Sequence, residues 1–506
     1  MKKFLSLFAI MLLASGLVAC KTGNSVEGAG EAFQVLKLED LKNASSAENP
    51  IVVEFWHSFG HNISNELDPL IEEFEEHYAA QGVYIDVKAT STGGGYDGLR
   101  SRVNMGIKSN SIPTMVLGYP DHFASYIENN ILLPLDEYVN SSDSDVKLEN
   151  PTDIYENYWK ECRMEVNGSQ KIVAIPFNKS TEVMYYNASV VDPILHELGY
   201  ITKTGNTYGN WTQPTWDQVW AVSRVLRSKA DAGTLSWVHG GATVKVDSCT
   251  YPTYIDSAAN FFITTTRQWG GTYTESTGGT SGKVVFFNDQ AVAGQEYFLN
   301  LANNEKLWNI PNKVNQSYGS YELNNNRAYI SIGSTAGVNN NDSAKYELKV
   351  APYPQVGYGE NDVKAVIQQG TNAAILTPNS NNKTRLAAWL LIKYLTDTER
   401  TATFSMNTGY LPVRASAKES ADYQAFMQDV NSPFTGNVAK TVQAADAQQS
   451  YMYTDPAFTG SSIVRDKVDT MILAIYCNNK SITAALQTAY DELGRLRITT
   501  EKRYNG

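Results

Sequence analysis

Three successive glycines, Gly93, Gly94 and Gly95, stand directly before Tyr96 and the helix-type run "YDGLRSRVNMGI". Glycine N–H groups can converge on one point and a helix N-terminus adds partial positive charge, so this is chemistry for an anion. A plain flexible turn accounts for the glycines equally well. Other spacings test other chemistries. His57 and His61 stand four apart, as metal ligands on a helix do, but "HSFGH" lacks the glutamate of a zinc-protease motif and Gly60 reads as a turn, so no metal is expected. "GGTSG" at 278–282 lacks the strand–turn–helix setting of a nucleophile. A glycoside hydrolase needs two carboxylates across a cleft, ~5–10 Å apart. Of the 53 acids, the strand pattern singles out Asp121 and, less clearly, Glu54 and Glu182. Finally, "IPFNKSTEVMYYN" reads as a strand with apolar ends and a polar centre at residues 178–181. A strand inside one core has no reason for a wet centre.

These residues need elements to hold them. From residue 50 the pattern alternates. "IVVEFWHS", "VYIDVKAT" and "PTMVLGY" read as strands, and the segment from Ser64 and "YDGLRSRVNMGI" as helices between them. Leu67, Leu70, Ile71, Phe74 and Tyr78 share one helical face, and Pro69 fits only an early turn or a mild kink. Strand–helix–strand order predicts a largely parallel sheet with right-handed crossovers, whose ligands sit at the carboxyl ends of the strands. Those ends carry Trp56-His57-Ser58, the glycine run, and Gly118-Tyr119-Pro120-Asp121. After Tyr186 a second such region follows. Thr215 and Gln218 form a capping box with Trp216 facing inward, 227–282 reads as irregular, and 382–406 reads as one strong helix.

The chain is acidic, with 53 Asp plus Glu against 41 Lys plus Arg, which argues against a nucleic-acid partner. Its 30 tyrosines offer flat rings with polar tips, suited to sugars or polyols as well as to packing. Cys162, Cys249 and Cys477 show no zinc spacing and allow at most one bridge. The N-terminus has Lys2 and Lys3, a short apolar run, then Leu17-Val18-Ala19-Cys20. That is a secretory signal over residues 1–19, ending in a bacterial lipobox at Cys20. Residues 20–49 then read as a flexible, lipid-anchored linker.

"VEFWHS", "IPFNKSTEVMYYN" and "TGYLPV", in this order, resemble the extracellular solute-binding proteins (family 1) of ABC importers, nearest the glycerol-3-phosphate-binding members. The resemblance implies a two-lobe α/β periplasmic-binding-protein fold, each lobe a mainly parallel sheet flanked by helices, with the ligand cleft between them. Lobe one would be 50–177 and 345–400, and lobe two 178–344 and 401–506. The polar centre of the crossing strand would then lie on the cleft wall, met by water or ligand. Carried over residue by residue, the ligand set is Tyr96, Ser180, Gly333 or its neighbour Ser334, Gly370, Tyr410 and Arg465. Trp56, His57 and Asp121 are further candidates at strand ends. The glutamate that holds glycerol hydroxyls falls on Pro120, next to Asp121, and the stacking tryptophan falls near Tyr251 and Tyr254. The anion end thus resembles the family and the organic end departs from it. A phosphate ester is expected, a glycerophosphodiester or sugar phosphate as much as glycerol-3-phosphate, while a neutral sugar would make Arg465 a hydroxyl donor.

The implied protein is no enzyme and carries no cofactor. It is an exported, membrane-anchored monomer that delivers a small ligand to an ABC permease; a secreted glycoside hydrolase and a glycan-binding adhesin are the alternatives. Cys20→Ser is expected to release the protein from membranes with ligand affinity unchanged. A variant still membrane-bound after a carbonate wash would contradict the lipobox.

Overall fold

The structure, a computed structural model, describes residues 31–246, 249–341, 345–433 and 435–506. The signal segment, Cys20 and residues 21–30 lie outside the described residues.

A ten-stranded sheet runs through the whole molecule. At one end Ile51–His57 is flanked by Ile85–Ser91 and Met115–Gly118, both parallel to it. At the other end Thr253–Ile255 lies between Trp308–Asn309 and Ile330–Ser334, again parallel. Two long strands, Ile175–Asn187 and Val366–Ile375, join these halves. They pair antiparallel with each other and with the parallel strands beside them. Two α/β lobes therefore form as expected, but on one continuous sheet.

Each lobe has its own core. In the first, Phe55, Phe74, Leu117 and Trp389 belong to one buried cluster. In the second, Trp216, Trp220, Phe298 and Trp308 belong to another. The helix His61–Ala79 buries Leu67, Leu70, Ile71, Phe74 and Tyr78, the face its periodicity predicts. It starts earlier than expected, so Pro69 lies in its interior, where it forfeits one intrahelical hydrogen bond. The Thr215–Gln218 capping box opens Trp216–Asp231 as read, and the Trp216 ring is buried in the second core.

Five expectations need correction. Residues 31–49 are not free linker. Leu38 and Leu41 are buried in the first core, the Phe33 ring meets Tyr138 edge-on, and Arg385 donates to the Glu31 carbonyl at 3.0 Å. The boundary at 345 also moves. Leu348–Pro352 pairs with the second half of the crossing strand, which carries Tyr346, Leu348, Ala351 and Tyr353 into the second core. Phe404 and Tyr410, expected in lobe two, pack in the first core. The lobes change over inside the long strands rather than at loops. Residues 382–406 form two helices, Asn382–Leu395 and Thr398–Thr408, because Asp397 caps the second through the Arg400 N–H at 2.7 Å. Within 227–282 lies the helix Ala258–Gln268, almost wholly buried despite its threonines. Packing on three sides overrides the weak helix propensity of a β-branched run.

Gly370 marks the tightest point between the joining strands. Its φ is +90°, and a Cβ there would lie 1.9 Å from the Asn178 carbonyl oxygen. Gly370→Ala is therefore expected to cost about 3 kcal/mol or more, by strain and by forcing the strands apart. A urea midpoint within error of the wild type would refute this.

Candidate functional site

The polar centre of Ile175–Asn187 is not a wet wall. All of its residues are buried, and protein groups satisfy most of them. Asn178 Nδ2 donates to the Tyr96 hydroxyl at 3.1 Å, and its Oδ1 accepts from the Thr371 hydroxyl. Lys179 Nζ donates to the Gly370 carbonyl at 3.2 Å and pairs with the Glu161 carboxylate. Thr181 Oγ1 donates to the Ile367 carbonyl at 2.9 Å. The sequence expectation of water or ligand at residues 178–181 is corrected. The polarity builds the frame on which the site stands.

That frame positions an interlobe cavity of about 280 Å³. The first lobe lines it with Tyr96, Tyr119, Asp121 and Glu161, and the second with Ile263, Tyr273, Ser461, Ser462 and Arg465. Gln368 and Gln369 of the return strand and residues 454–457 close the back. A wider opening of about 840 Å³ adjoins it, sharing Pro120, Glu161, Gln368 and residues 454–457.

Local sequence explains these placements. Gly93, Gly94 and Gly95 all take positive φ, which lets the chain turn from Ile85–Ser91 into Gly95–Ser109 and puts Tyr96 in the first helical turn. Pro120 sits in the first turn of Pro120–Glu128, where its missing N–H costs nothing, and this brings Tyr119 and Asp121 to the mouth of their strand. Gly460, at φ 94°, turns the chain into Ser461–Tyr476, so Ser461 and Ser462 begin a helix at the cavity with Arg465 one turn on.

The charge is lopsided. Asp97, Asp121, Glu161 and Asp455 bring four carboxyl groups to the lining, while Arg465 is its only Lys or Arg among the described residues. Lys179 sits behind Glu161 and pairs with its carboxylate, and burial pulls its ammonium well below the usual range. Burial pushes the Asp455 carboxyl up to about 7, against Arg267 and Arg465. It also raises the hydroxyls of Tyr96 and Tyr119, so both stay protonated donors. His122 is pulled down by burial and stays neutral near pH 7. Arg465 donates through Nη2 to Asn260 Oδ1.

Of the expected residues, Tyr96, Asp121 and Arg465 line the cavity together. Tyr410 stands one layer behind, its hydroxyl 3.3 Å from that of Tyr96 and its ring stacked on Phe404. Gly370 adjoins Gln369 and gives its carbonyl to Lys179. The remaining candidates are corrected. Ser180 is buried in the sheet opposite Gln369. Gly333 leaves room for Asp256, whose Oδ2 would lie 2.5 Å from a Cβ, and Ser334 caps Thr335–Asn340 through the Ala336 N–H at 3.3 Å. Trp56 packs beneath the Arg102 guanidinium, 4.3 Å from its ring. His57 accepts from the Phe59 N–H at 3.2 Å, and burial lowers it to about 4. It ends a strand while His61 opens the next helix, so the two share no helical face. Tyr251 and Tyr254 meet edge-on, 5.9 Å apart, in a small cluster with Ala328 away from the lining, so neither replaces a stacking tryptophan. Cys162, Cys249 and Cys477 are free thiols.

Sequence reasoning missed Glu161, Ile263, Tyr273 and Asp455. Tyr273 and Ile263 come from the stretch read as irregular, and Glu161 from a short helix, Glu156–Cys162, with no motif. Tyr119 was legible at its strand end.

A family model described as "Bacterial extracellular solute-binding protein" matches residues 70–429. No curated protein matches the chain. Among solved structures, UgpB from Mycobacterium tuberculosis in complex with glycerophosphocholine aligns with a TM-score of 0.65 at 18% identity, covering 89% of this chain and 98% of that one. Maltose-bound MalE3 of T. maritima aligns at 0.63 and 16%, covering 88% and 100%. Lmo0181 from Listeria monocytogenes in complex with cycloalternan aligns at 0.65 and 13%, covering 88% and 99%. At these identities the likeness is one of fold, the α/β periplasmic-binding-protein fold. Among the described residues, no helix is long and apolar enough to cross a membrane.

The Lys179–Glu161 pair carries the testable consequence of this geometry. Lys179→Met leaves a buried carboxylate unpaired and is expected to cost ~3–5 kcal/mol. Adding Glu161→Gln removes that charge and should restore most of the loss. Equal instability of the single and double variants in urea unfolding would show that the pair is not the cause.

Proposed function

The chain belongs to the bacterial extracellular solute-binding protein family, a non-catalytic family, and on that basis we propose that it is the substrate-binding protein of an ABC importer that captures a neutral, polyhydroxylated solute of sugar type. The observation that carries the ligand class is the lining of the interlobe cavity. Three tyrosines offer flat faces, four carboxyl groups and two glutamines offer hydroxyl acceptors, and one arginine offers donors. Hydroxyl groups donate to carboxylates, whereas a phosphate monoester would meet their repulsion. The expected phosphate cradle has less support, because neither the glycine run nor Ser180 is in the lining. Maltose and cycloalternan are bound by two of the structural neighbours.

A second reading rests on one wall. Ser461 and Ser462 begin a helix there and Arg465 stands beside them, which favours an anion. A phosphodiester with a cationic head group would meet that wall with its phosphate and the carboxylates with its head. Glycerophosphocholine, bound by UgpB, is of this kind.

Capture follows from the frame. Solute binds one lobe first, and closure is favoured only by the contacts the second lobe adds. Contacts across the cleft include Arg100 Nη2 with Asp466 at 2.9 Å and the Gly279 N–H with Glu165 at 3.0 Å. A lipid on Cys20 would hold the protein near its permease, and the closed form would dock there.

A thermal-shift panel of maltose, maltotriose, cycloalternan, glycerol-3-phosphate and glycerophosphocholine tests the reading. At a hundred times its Kd a binder adds ~2.7 kcal/mol. The expected hits are sugars, with inorganic phosphate not competing and Arg465→Ala costing ~1–3 kcal/mol of affinity. Hits confined to phosphate esters, displaced by phosphate and losing ~3–5 kcal/mol on Arg465→Ala, would overturn the neutral-sugar reading.

A further inference from the structure

Arg465 does not stand alone. Its Nη2 donates to Asn260 Oδ1, and Asn260 Nδ2 donates in turn to Glu182 Oε1 at 2.9 Å. Glu182 and Asn260 are each only 1% exposed. Glu182 belongs to the crossing strand, opposite Ser334, and the Gln448 side chain donates to its backbone carbonyl at 2.7 Å. Its second carboxyl oxygen, Oε2, is buried with no partner. The three residues come from three elements: the strand Ile175–Asn187, the helix Ala258–Gln268 and the helix Ser461–Tyr476.

The chemistry of this chain has a direction. An ionised carboxylate only accepts hydrogen bonds, so it turns the Asn260 amide nitrogen toward itself and the amide oxygen toward Arg465. The negative charge behind the amide then strengthens its hold on the guanidinium. A proton on the free Oε2 removes that charge and slackens the hold. The carboxyl groups of Asp469 and, once ionised, Asp455 also feel Arg465 and then compete for it on better terms.

We propose that Glu182 and Asn260 are positioning residues for Arg465, so that the protonation state of a carboxyl buried in the crossing strand sets how firmly the cavity's arginine is held. That Arg465 meets solute rests on the reading above; the relay itself does not. The groups around Glu182 set where it titrates. Burial pushes its carboxyl up to about 7, Asn260 and Arg465 lower it, and Asp256 raises it. Tyr353 and Tyr453 also face it and are kept neutral by burial. Proton release from Glu182 thus falls in the neutral range, where the arginine would pass from loosely to firmly held as pH rises.

The test needs no added solute. In the full chain labelled with glutamate carboxyl ¹³C, the Glu182 resonance is the one missing from Glu182→Gln. Its midpoint is expected near 7, and it should climb by about 1 pH unit or more in both Arg465→Ala and Asn260→Leu. Asn260→Asp, of unchanged size, sets a second carboxylate against Glu182 and should raise the midpoint too; it serves if the leucine variant does not fold. Phenylglyoxal reads Arg465 itself. Its modification rate, followed by mass in the peptide that holds it, should rise several-fold in Glu182→Gln and in the Asn260 variant. A Glu182 midpoint that no substitution moves, or an Arg465 rate equal in all proteins, overturns the relay. The solute panel judges the cleft separately: loss of sugar binding in Arg465→Ala with an unmoved Glu182 would sink the relay alone, and a moved midpoint without any sugar hit would sink the cleft reading alone.

Discussion

Most of this structure depends on one contact, the close pairing of Ile175–Asn187 with Val366–Ile375 at Lys179 and Gly370. The strands approach so closely there that a Cβ on Gly370 has no room. The same closeness lets the Lys179 ammonium reach the Gly370 carbonyl and the Glu161 carboxylate without meeting water. The Lys179 carbonyl accepts from the Leu411 N–H as well, so the turn carrying Tyr410 is tied to the same point. A buried ion pair is weak evidence of net stability, because desolvation consumes most of its attraction. Its value is in register. A shift by one residue would turn the Lys179 side chain to the other face of the sheet, away from the Glu161 carboxylate, and leave a buried lysine without its partner. Both lobes inherit that alignment, since the same two strands extend into each.

How much of this could be read from the sequence follows from the range of the forces involved. Periodicity is local, and it located the first-lobe strands, the His61–Ala79 face and the Thr215 cap. The polar centre at residues 178–181 was visible too. Its meaning was not visible, because the partners that satisfy it stand far off in the chain: Tyr96, Glu161, Ile367 and Gly370. The helix Ala258–Gln268 was hidden for the same reason. A run of threonines is a poor helix by propensity and a sound one only when packed on every side.

The candidate site divides in the same way. Tyr96 and Asp121 carry signals of their own, a glycine turn and a strand end, while Arg465 rested on the family position alone; the three meet in one cavity. Gly333, Ser334, Tyr251 and Tyr254 rested on alignment without local support, and in the second lobe a short shift in alignment moves a side chain to the opposite face of a strand. Tyr254 shows this well. Its neighbour Ile255 belongs to the main second core, while Tyr254 itself faces a separate small cluster with Tyr251 and Ala328.

The balance of charge is what the proposed ligand class rests on. One guanidinium among four carboxyl groups is a poor trap for an isolated anion, yet a firm donor for a hydroxylated ring whose other hydroxyls need acceptors. The carboxylates are also unequal. Glu161 is paired from behind with Lys179, Asp455 is pushed by burial toward its neutral form, and Asp121 has one oxygen buried without a hydrogen-bond partner. A cavity that already contains an unsatisfied acceptor binds a donor more readily than a second acceptor, because a new hydrogen bond there relieves a desolvation cost already incurred. Hydroxyl groups are donors and phosphate oxygens are not. The same accounting explains why the site sits between two lobes. Separated, the two lining surfaces are hydrated and their acceptors satisfied by water. Brought together they would lose that water, and on the proposed reading a solute that donates on both sides would make closure favourable.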